Sequence, residues 1–194
     1  MSKKILQKES SVLRGIAQNI AIDSIKSPKI QKIIKEMKSA LESQDDGVAI
    51  AGPQIGYPLR IFVVSKRVQE IMDESRSKPE LNTSKAKATT ILDTTEPVTT
   101  DSIYINPVIK KVSKKKMAVE EGCLSVRYLY GKVLRSVKAT VEAYDENGKK
   151  FTRGGSGLLA QIFQHEVDHL NGILFIDKAK YIEEILPKEL NAKK

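Results

Sequence analysis

The chain has 194 residues, 40% of them hydrophobic and 29% charged, so its length fits one domain with a packed core and excludes wholesale disorder. An excess of 33 lysines and arginines over 24 acidic residues gives a net charge of +9, which favours polyanionic partners but does not bear on the fold. The single cysteine excludes an internal disulfide framework and predicts a reducing compartment, and no apolar run reaches the roughly 20 residues that a membrane helix needs.

The first half of the chain predicts a helix, a strand and a long insertion. The helix begins at Ser27-Pro28, because serine is a preferred N-cap residue and proline suits the first turn. Five apolar residues then recur at the spacing of one helix face, namely Ile30, Ile33, Ile34, Met37 and Leu41. A β-branched strand follows at 60–64, and residues 65–101 turn polar without a sustained period, which predicts a surface insertion with a helical piece around 68–72.

The second half predicts strands followed by helices. Residues 102–109 have strand composition, and residues 137–143 alternate apolar and polar side chains before Asn147-Gly148, a typical hairpin turn. A glycine-rich loop leads into a helix at about 158–170, and a last amphipathic segment at about 178–194 is predicted to be helical. This order favours the α+β class, in a single domain that covers the whole chain.

Both histidines of the chain lie in the sequence His165-Glu166-Val167-Asp168-His169. Residues i and i+4 share one helix face, so His165 and His169 can hold one metal ion, and Glu166 can reach a metal-bound water as its proton acceptor. The alternative is a surface helix that carries two histidines by chance, but a random pair would show this spacing only about once in a hundred sequences. Apolar residues precede the pair, so we expect the site to lie deep in the core.

Two histidines leave a catalytic metal site one protein ligand short. The metalloprotease pattern HExxHxxGxxH is excluded, because Phe175 stands where its third histidine would be. No further histidine exists, so the third ligand is a carboxylate or the only thiol, Cys123. Alone, Cys123 would be interpreted as an inert buried thiol, whereas beside the HEVDH motif thiolate ligation becomes the better interpretation. A Cys/His/His site leaves one position open for water.

The histidine motif is one of three separated motifs that carry a family resemblance. They are Gly47-Val48-Ala49-Ile50-Ala51-Gly52-Pro53-Gln54, Glu121-Gly122-Cys123-Leu124-Ser125 and Gln164-His165-Glu166-Val167-Asp168-His169. Together they resemble the peptide deformylases, which remove the formyl group from nascent N-formylmethionyl chains. The second and third motifs match that family unaltered, and the similarity spans roughly residues 30–64 and 103–177.

The resemblance implies a metal-dependent hydrolase, an amidase rather than a peptidase, that releases formate. Cys123, His165 and His169 match the residues that hold one divalent metal ion per chain. The ion is natively Fe(II) in many members, and Ni(II), Co(II) or Zn(II) can occupy the site. Glu166 matches the residue that takes the proton of the metal-bound water and passes it to the departing amine.

Further residue roles follow from the same resemblance. The Gln54 side-chain amide and the Leu124 backbone N–H would stabilise the charge that grows on the formyl oxygen, although without the family Gln54 would be interpreted as a turn residue. Asp168 is expected to support the site rather than to react. Four residues match positions that line the substrate cleft, namely Val48, Ala49, Gly122 and Leu158.

Three departures from the family pattern bear on the substrate. Ala49 adds a methyl group where the usual glycine lets the substrate backbone approach, and Arg127 replaces a common proline. Gln161 falls in the methionine pocket at a position that is usually apolar. These departures bear on the side-chain preference more than on the chemistry.

The family fold is α+β, with small antiparallel or mixed sheets packed around a central metal-binding HExxH helix. The resemblance also implies N-formylmethionyl nascent peptides and, transiently, the ribosome as partners, with no membrane and no sequence-specific nucleic acid. The expected location is a cytoplasm of bacterial type or an organelle.

Three alternatives compete with this interpretation. An ordinary metallopeptidase is disfavoured by the missing third histidine and the unaltered EGCLS motif. A basic binding module could use the lysine cluster at 110–116, although such runs are usually only a solvated surface. A catalytically inactive relative would be expected to lose a metal ligand or Glu166, and none is lost.

Overall fold

The structure is a computed structural model that describes residues 3–77 and 100–186. Within those ranges it has three α-helices and eight β-strands. The helices are α1 (Pro28–Glu42), α2 (Arg67–Ser77) and α3 (Leu158–Leu170). The strands are β1 (Ala49–Ala51), β2 (Ile61–Val64), β3 (Ser102–Val112), β4 (Lys116–Gly122), β5 (Leu129–Ser136), β6 (Lys138–Tyr144), β7 (Lys150–Ser156) and β8 (Lys180–Glu184).

The strands form two sheets, and all of their pairings are antiparallel. The larger sheet has the order β1-β2-β3-β6-β7, and the smaller sheet has the order β4-β5-β8. The predicted hairpin joins β6 to β7, where Asp145 accepts backbone hydrogen bonds from the turn and Gly148 adopts a φ of +75°. The predicted α+β class with small antiparallel sheets is therefore confirmed.

Helix α1 forms where the capping and apolar patterns predict it. The Ser27 hydroxyl accepts a hydrogen bond from the Ile30 backbone N–H at 3.4 Å, and Pro28 occupies the first turn. The predicted apolar face is buried and contacts β1 and β2. This packing holds the turn after β1, which carries the first sequence motif.

Helix α3 packs against strands of both sheets. It contacts β1, β2, β3, β6 and β7 of the larger sheet and β5 of the smaller sheet. Nine of its residues are buried, including Leu159, Phe163 and Leu170. Because the helix is surrounded on several sides, the His165–His169 face points into the molecule rather than into solvent.

The prediction for the C-terminal segment was wrong in its described part. Lys180–Glu184 form strand β8 rather than a helix and pair with β5, with Leu129 opposite Glu184 and Lys132 opposite Lys180. The open edge of β5 supplies backbone hydrogen-bond partners to this segment, and pairing with them outweighs a weak helical pattern. Residues 187–194 lie outside the described residues.

The predicted insertion at 65–101 is described only at its two ends. Its helical piece is confirmed, because α2 begins at Arg67 and buries Val68. Residues 78–99 lie outside the described residues. Of the helices in the described ranges, none has the length and apolar character to cross a bilayer.

Candidate metal centre

Cys123, His165 and His169 converge at one point. Cys123 directly follows β4, and the two histidines lie one turn apart on α3. One ligand atom from each residue lies within 4.8 Å of the others, and Cys123 Sγ is 3.2 Å from His169 Nε2. A thiolate and two imidazoles are a donor set that suits zinc, iron, cobalt or nickel. The residues therefore fit a single divalent ion.

Neighbouring groups orient and ionise these ligands. His165 Nδ1 lies 2.9 Å from Glu121 Oε2, which leaves Nε2 as the ring nitrogen available for a metal. Burial by itself raises the pKa of the Cys123 thiol, but His169 and His165 outweigh burial and lower the pKa to about 5. The sulfur is therefore already in the form that binds metals.

Glu166 stands beside the cluster with a free carboxylate oxygen. The side chain is buried, and its Oε2 has no hydrogen-bond partner among the described residues. Burial raises the pKa of Glu166 to about 7, against the opposing effect of His165 and His169. A carboxylate with such a pKa can accept and return a proton near neutral pH.

Gln54 lies in the turn after β1, beside Cys123. Its Oε1 accepts a hydrogen bond from the Ala51 backbone N–H at 2.7 Å, so the NH₂ end must face the other way. That end donates to the Ser125 hydroxyl at 3.1 Å and lies 3.5 Å from Cys123 Sγ. Gln54 thus presents a buried donor beside Cys123.

A cavity of about 280 Å³ opens on this cluster. The structure brings all four predicted cleft residues to its wall, together with Cys123, His165 and Glu166; these four are Val48, Ala49, Gly122 and Leu158. Gly122 packs closely there, because a Cβ atom at this position would lie 2.7 Å from the Tyr130 ring and would require the ring to shift. Predicted residues from both halves of the chain therefore form one concave site.

The cavity rim carries charged groups that sequence analysis did not assign. Arg127 Nη1 pairs with Asp46 Oδ2 at 2.6 Å, and its Nη2 donates to Gln44 Oε1 at 2.6 Å. The ion pair between Arg127 and Asp46 links the connection between β4 and β5 to the connection between α1 and β1. Arg127, which replaces the usual proline, thus occupies the entrance of the site.

This geometry agrees with a family match over most of the chain. The family model described as Polypeptide deformylase matches residues 2–184. The chain belongs to the peptide deformylase family. The Cys/His/His cluster and this membership together indicate a single metal site.

Named deformylases show how far the similarity extends. "Peptide deformylase 1A, chloroplastic" of Solanum lycopersicum is 36% identical over 174 residues, which cover 90% of this chain and 58% of that protein. "Peptide deformylase 2" of Clostridium acetobutylicum is 34% identical over 176 residues, which cover 90% of this chain and 93% of that protein. The chain thus spans less than two thirds of the plant relative's length and nearly all of the bacterial one.

A solved deformylase shares the fold. The crystal structure of a class I type b peptide deformylase from Acinetobacter baumannii with Met-Ala-Ser bound matches with a TM-score of 0.71 and 25% identity. The match covers 92% of this chain and 98% of that chain.

The charged network behind the candidate metal ligands includes residues that sequence analysis missed. Arg135 donates to both carboxylate oxygens of Glu121 at 2.7 and 3.0 Å and to Asp168 Oδ2 at 2.6 Å. Asp168 also pairs with Lys178, and its supporting role stays a prediction. Burial alone raises the pKa of Glu121, but hydrogen bonds with His165 and Arg135 lower it to about 2. The position of Arg135 in β5 indicates its burial. Buried and exposed residues alternate along this strand, and Arg135 continues the buried series of Gly131 and Val133.

Replacing Arg135 by leucine is expected to lower the free energy of unfolding by about 3 kcal/mol, because two buried carboxylates lose their shared partner. Urea titration of the purified variant measures this change. The control is Arg14→Leu, which breaks an exposed pair with Asp177 and should change the free energy of unfolding by less than about 1 kcal/mol. Equal effects of the two variants would contradict a stabilising role for the buried network.

Proposed function

We propose that this protein is a metal-dependent hydrolase that removes the formyl group from the N-terminal formylmethionine of nascent polypeptides and releases formate. The observation that carries the proposal is the Cys123, His165 and His169 cluster beside Glu166, whose Oε2 has no partner among the described residues. Cys123, His165 and Glu166 line the cavity. Membership of the deformylase family supports the same reaction.

Cys123, His165 and His169 would hold the metal, natively Fe(II), with Ni(II), Co(II) or Zn(II) as possible substitutes. A bound ion of this kind acts as a Lewis acid and lowers the pKa of water. The mixed sulfur and nitrogen donors support a transition metal over a hard cation such as Mg²⁺, which prefers oxygen ligands. The packing of α3 against both sheets supports its assignment as the central metal-binding helix.

Glu166 would transfer the proton. Its free Oε2 can accept a proton from the attacking water and return it to the amine nitrogen as the C–N bond breaks. Its raised pKa, caused by burial, suits both steps near neutral pH. The amine then leaves as a free amino terminus, and the formyl carbon leaves as formate.

Gln54 and Leu124 would stabilise the negative charge on the formyl oxygen. The NH₂ end of Gln54 is held in place by the Ala51 bond to its Oε1, so no reorientation is needed during the reaction. Leu124 lies beside Cys123 on the cavity wall, where its backbone N–H can serve as the second donor.

The cavity would receive the first residues of the peptide. Its apolar part includes Val48, Leu158 and Ile162, which suits a methionine side chain, whereas the rim carries Asp46 and Arg127 and suits the following peptide. Ala49 and Gly122 lie on the wall near the reacting centre, where the substrate backbone would pass.

The exposed lysines at the end of β3, in the connection to β4 and at the start of β4 support transient contact with the ribosome, where nascent chains emerge. Five of them lie in a short stretch, namely Lys110, Lys111, Lys114, Lys115 and Lys116. Their positive charge would attract the phosphates of ribosomal RNA without reading its sequence. A bacterial-type cytoplasm or an organelle that carries out translation is the matching location.

The test is formate release from formyl-Met-Ala-Ser by protein loaded anaerobically with Fe(II) or Ni(II). We expect rapid release that a chelator abolishes. Acetyl-Met-Ala-Ser is the matched control, and cleavage of its Met–Ala bond would indicate a peptidase instead. A folded, metal-loaded protein that releases no formate would contradict the proposal.

A further inference from the structure

A second cavity of about 150 Å³ lies next to the first. The two cavities share Leu158 and Gln161, which line both of them. The other apolar residues of the second cavity are Met117, Val119 and Val137. Two side chains at the start of α3 are therefore what separates this space from the candidate active site.

The polar groups around the second cavity already have partners. The guanidinium of Arg135 is bound to Glu121 and Asp168. The backbone N–H and C=O of Ser136 are both bound to the Gln164 side chain. The surface that remains for an occupant is consequently apolar, and apolar cavities of about this size can accept a group as large as benzene.

Gln161 spans the gap between α3 and β4. Its Nε2 donates to the Glu120 backbone oxygen at 2.8 Å, which holds the side chain across the boundary between the cavities. An aliphatic side chain at this position could not make that bond and would be free to rotate away. Leu158 completes the same wall.

We propose that Gln161 sets the length of side chain that this site accepts, by closing off an apolar cavity that would otherwise take the end of a longer, unbranched side chain. The inference rests on the proposed function, because it assumes that the first residue of a formylated peptide occupies the larger cavity. It makes Gln161 a specificity-determining residue of this chain, and the bond to Glu120 is the feature that gives it this role.

The test compares Gln161→Ala with the parent protein on formyl-Met-Ala-Ser and on the same peptide with 2-aminooctanoic acid in place of methionine. The variant should raise kcat/KM for the longer substrate relative to the shorter one by about tenfold, through KM, because two more carbons gain apolar burial. Gln161→Met keeps the length of the side chain but loses the hydrogen bond to Glu120, so it should also raise this ratio, though by less than Gln161→Ala. Gln161→Ser serves as a second small replacement.

A binding measurement separates this inference from the proposed function. Calorimetry with the two unformylated product peptides needs no turnover, and Gln161→Ala should bind the longer peptide about tenfold more tightly than the parent protein does. Absence of formate release from the parent protein would overturn the proposed function. The role of Gln161 would be overturned if Gln161→Ala and Gln161→Ser both showed the same preference between the two peptides as the parent protein. This comparison applies to kcat/KM and to the affinities from calorimetry.

Discussion

Replacing Glu166 by alanine is expected to lower kcat for formyl-peptide hydrolysis by about a thousandfold while the protein keeps its metal. The side chain lies next to the candidate ligands but is not one of them, and its Oε2 has no other partner among the described residues. Loss of a positioned proton acceptor typically reduces rates by about 10²- to 10⁴-fold. Formate release and metal content, measured on the same sample, check the two parts of this expectation.

Two further variants accompany this one: an amide of the same shape at position 166, and the loss of a carboxylate far from the site. Glu166→Gln retains the size of the side chain but cannot accept the proton, so it should be as inactive as Glu166→Ala. Glu70→Ala removes an exposed carboxylate on α2 and should leave turnover unchanged. Full activity of Glu166→Ala would exclude the assigned proton transfer.

Cys123→Ala and His169→Ala are each expected to lose the metal and, with it, the activity. Removing one of three protein ligands should weaken metal affinity by far more than the roughly 10- to 100-fold that loss of a supporting group costs. Glu121→Gln provides that comparison, because Glu121 holds His165 through its Nδ1 and does not itself join the cluster. Competition with a chromogenic chelator gives the metal affinities of Cys123→Ala, His169→Ala and Glu121→Gln.

Thermal unfolding gives an independent measurement of metal binding by the parent protein and the ligand variants. A metal that binds only the folded state stabilises it in proportion to the logarithm of its concentration over Kd, so adding Ni(II) should raise Tm for the parent protein. Cys123→Ala and His169→Ala should show little or no such rise. A ligand variant that binds the ion as tightly as the parent protein does would show that the metal site lies elsewhere.

Local sequence signals predicted several elements because those elements depend on neighbours along the chain. Ser27 caps α1 through a bond three residues away, and Gly148 supplies the conformation that the turn between β6 and β7 needs. The spacing of His165 and His169 places both on one face of α3 without any tertiary information. The residues alone leave a carboxylate or Cys123 as the third ligand; the neighbouring HEVDH motif favours Cys123, and the family resemblance implies the same residue.

Tertiary contacts decided the remainder, because they join segments that are distant in sequence. Lys180–Glu184 form a strand because they pair with the backbone edge of β5. The segment's own sequence pattern could not indicate this pairing. Arg135 unites Glu121 of β4 with Asp168 of α3, and a buried charge of this kind is tolerated only where folding brings such partners within hydrogen-bond reach.

The sequence by itself determined which atoms are available for chemistry: one thiol, two imidazoles on one helix face, and a carboxylate beside them. Only the tertiary structure decided how those groups are oriented and what space lies in front of them. The distance between Cys123 Sγ and His169 Nε2, the burial that raises the pKa of Glu166 and the wall that Gln161 forms all depend on how α3 packs against β4. That packing is set by side-chain volumes from many parts of the chain, which a local pattern does not record.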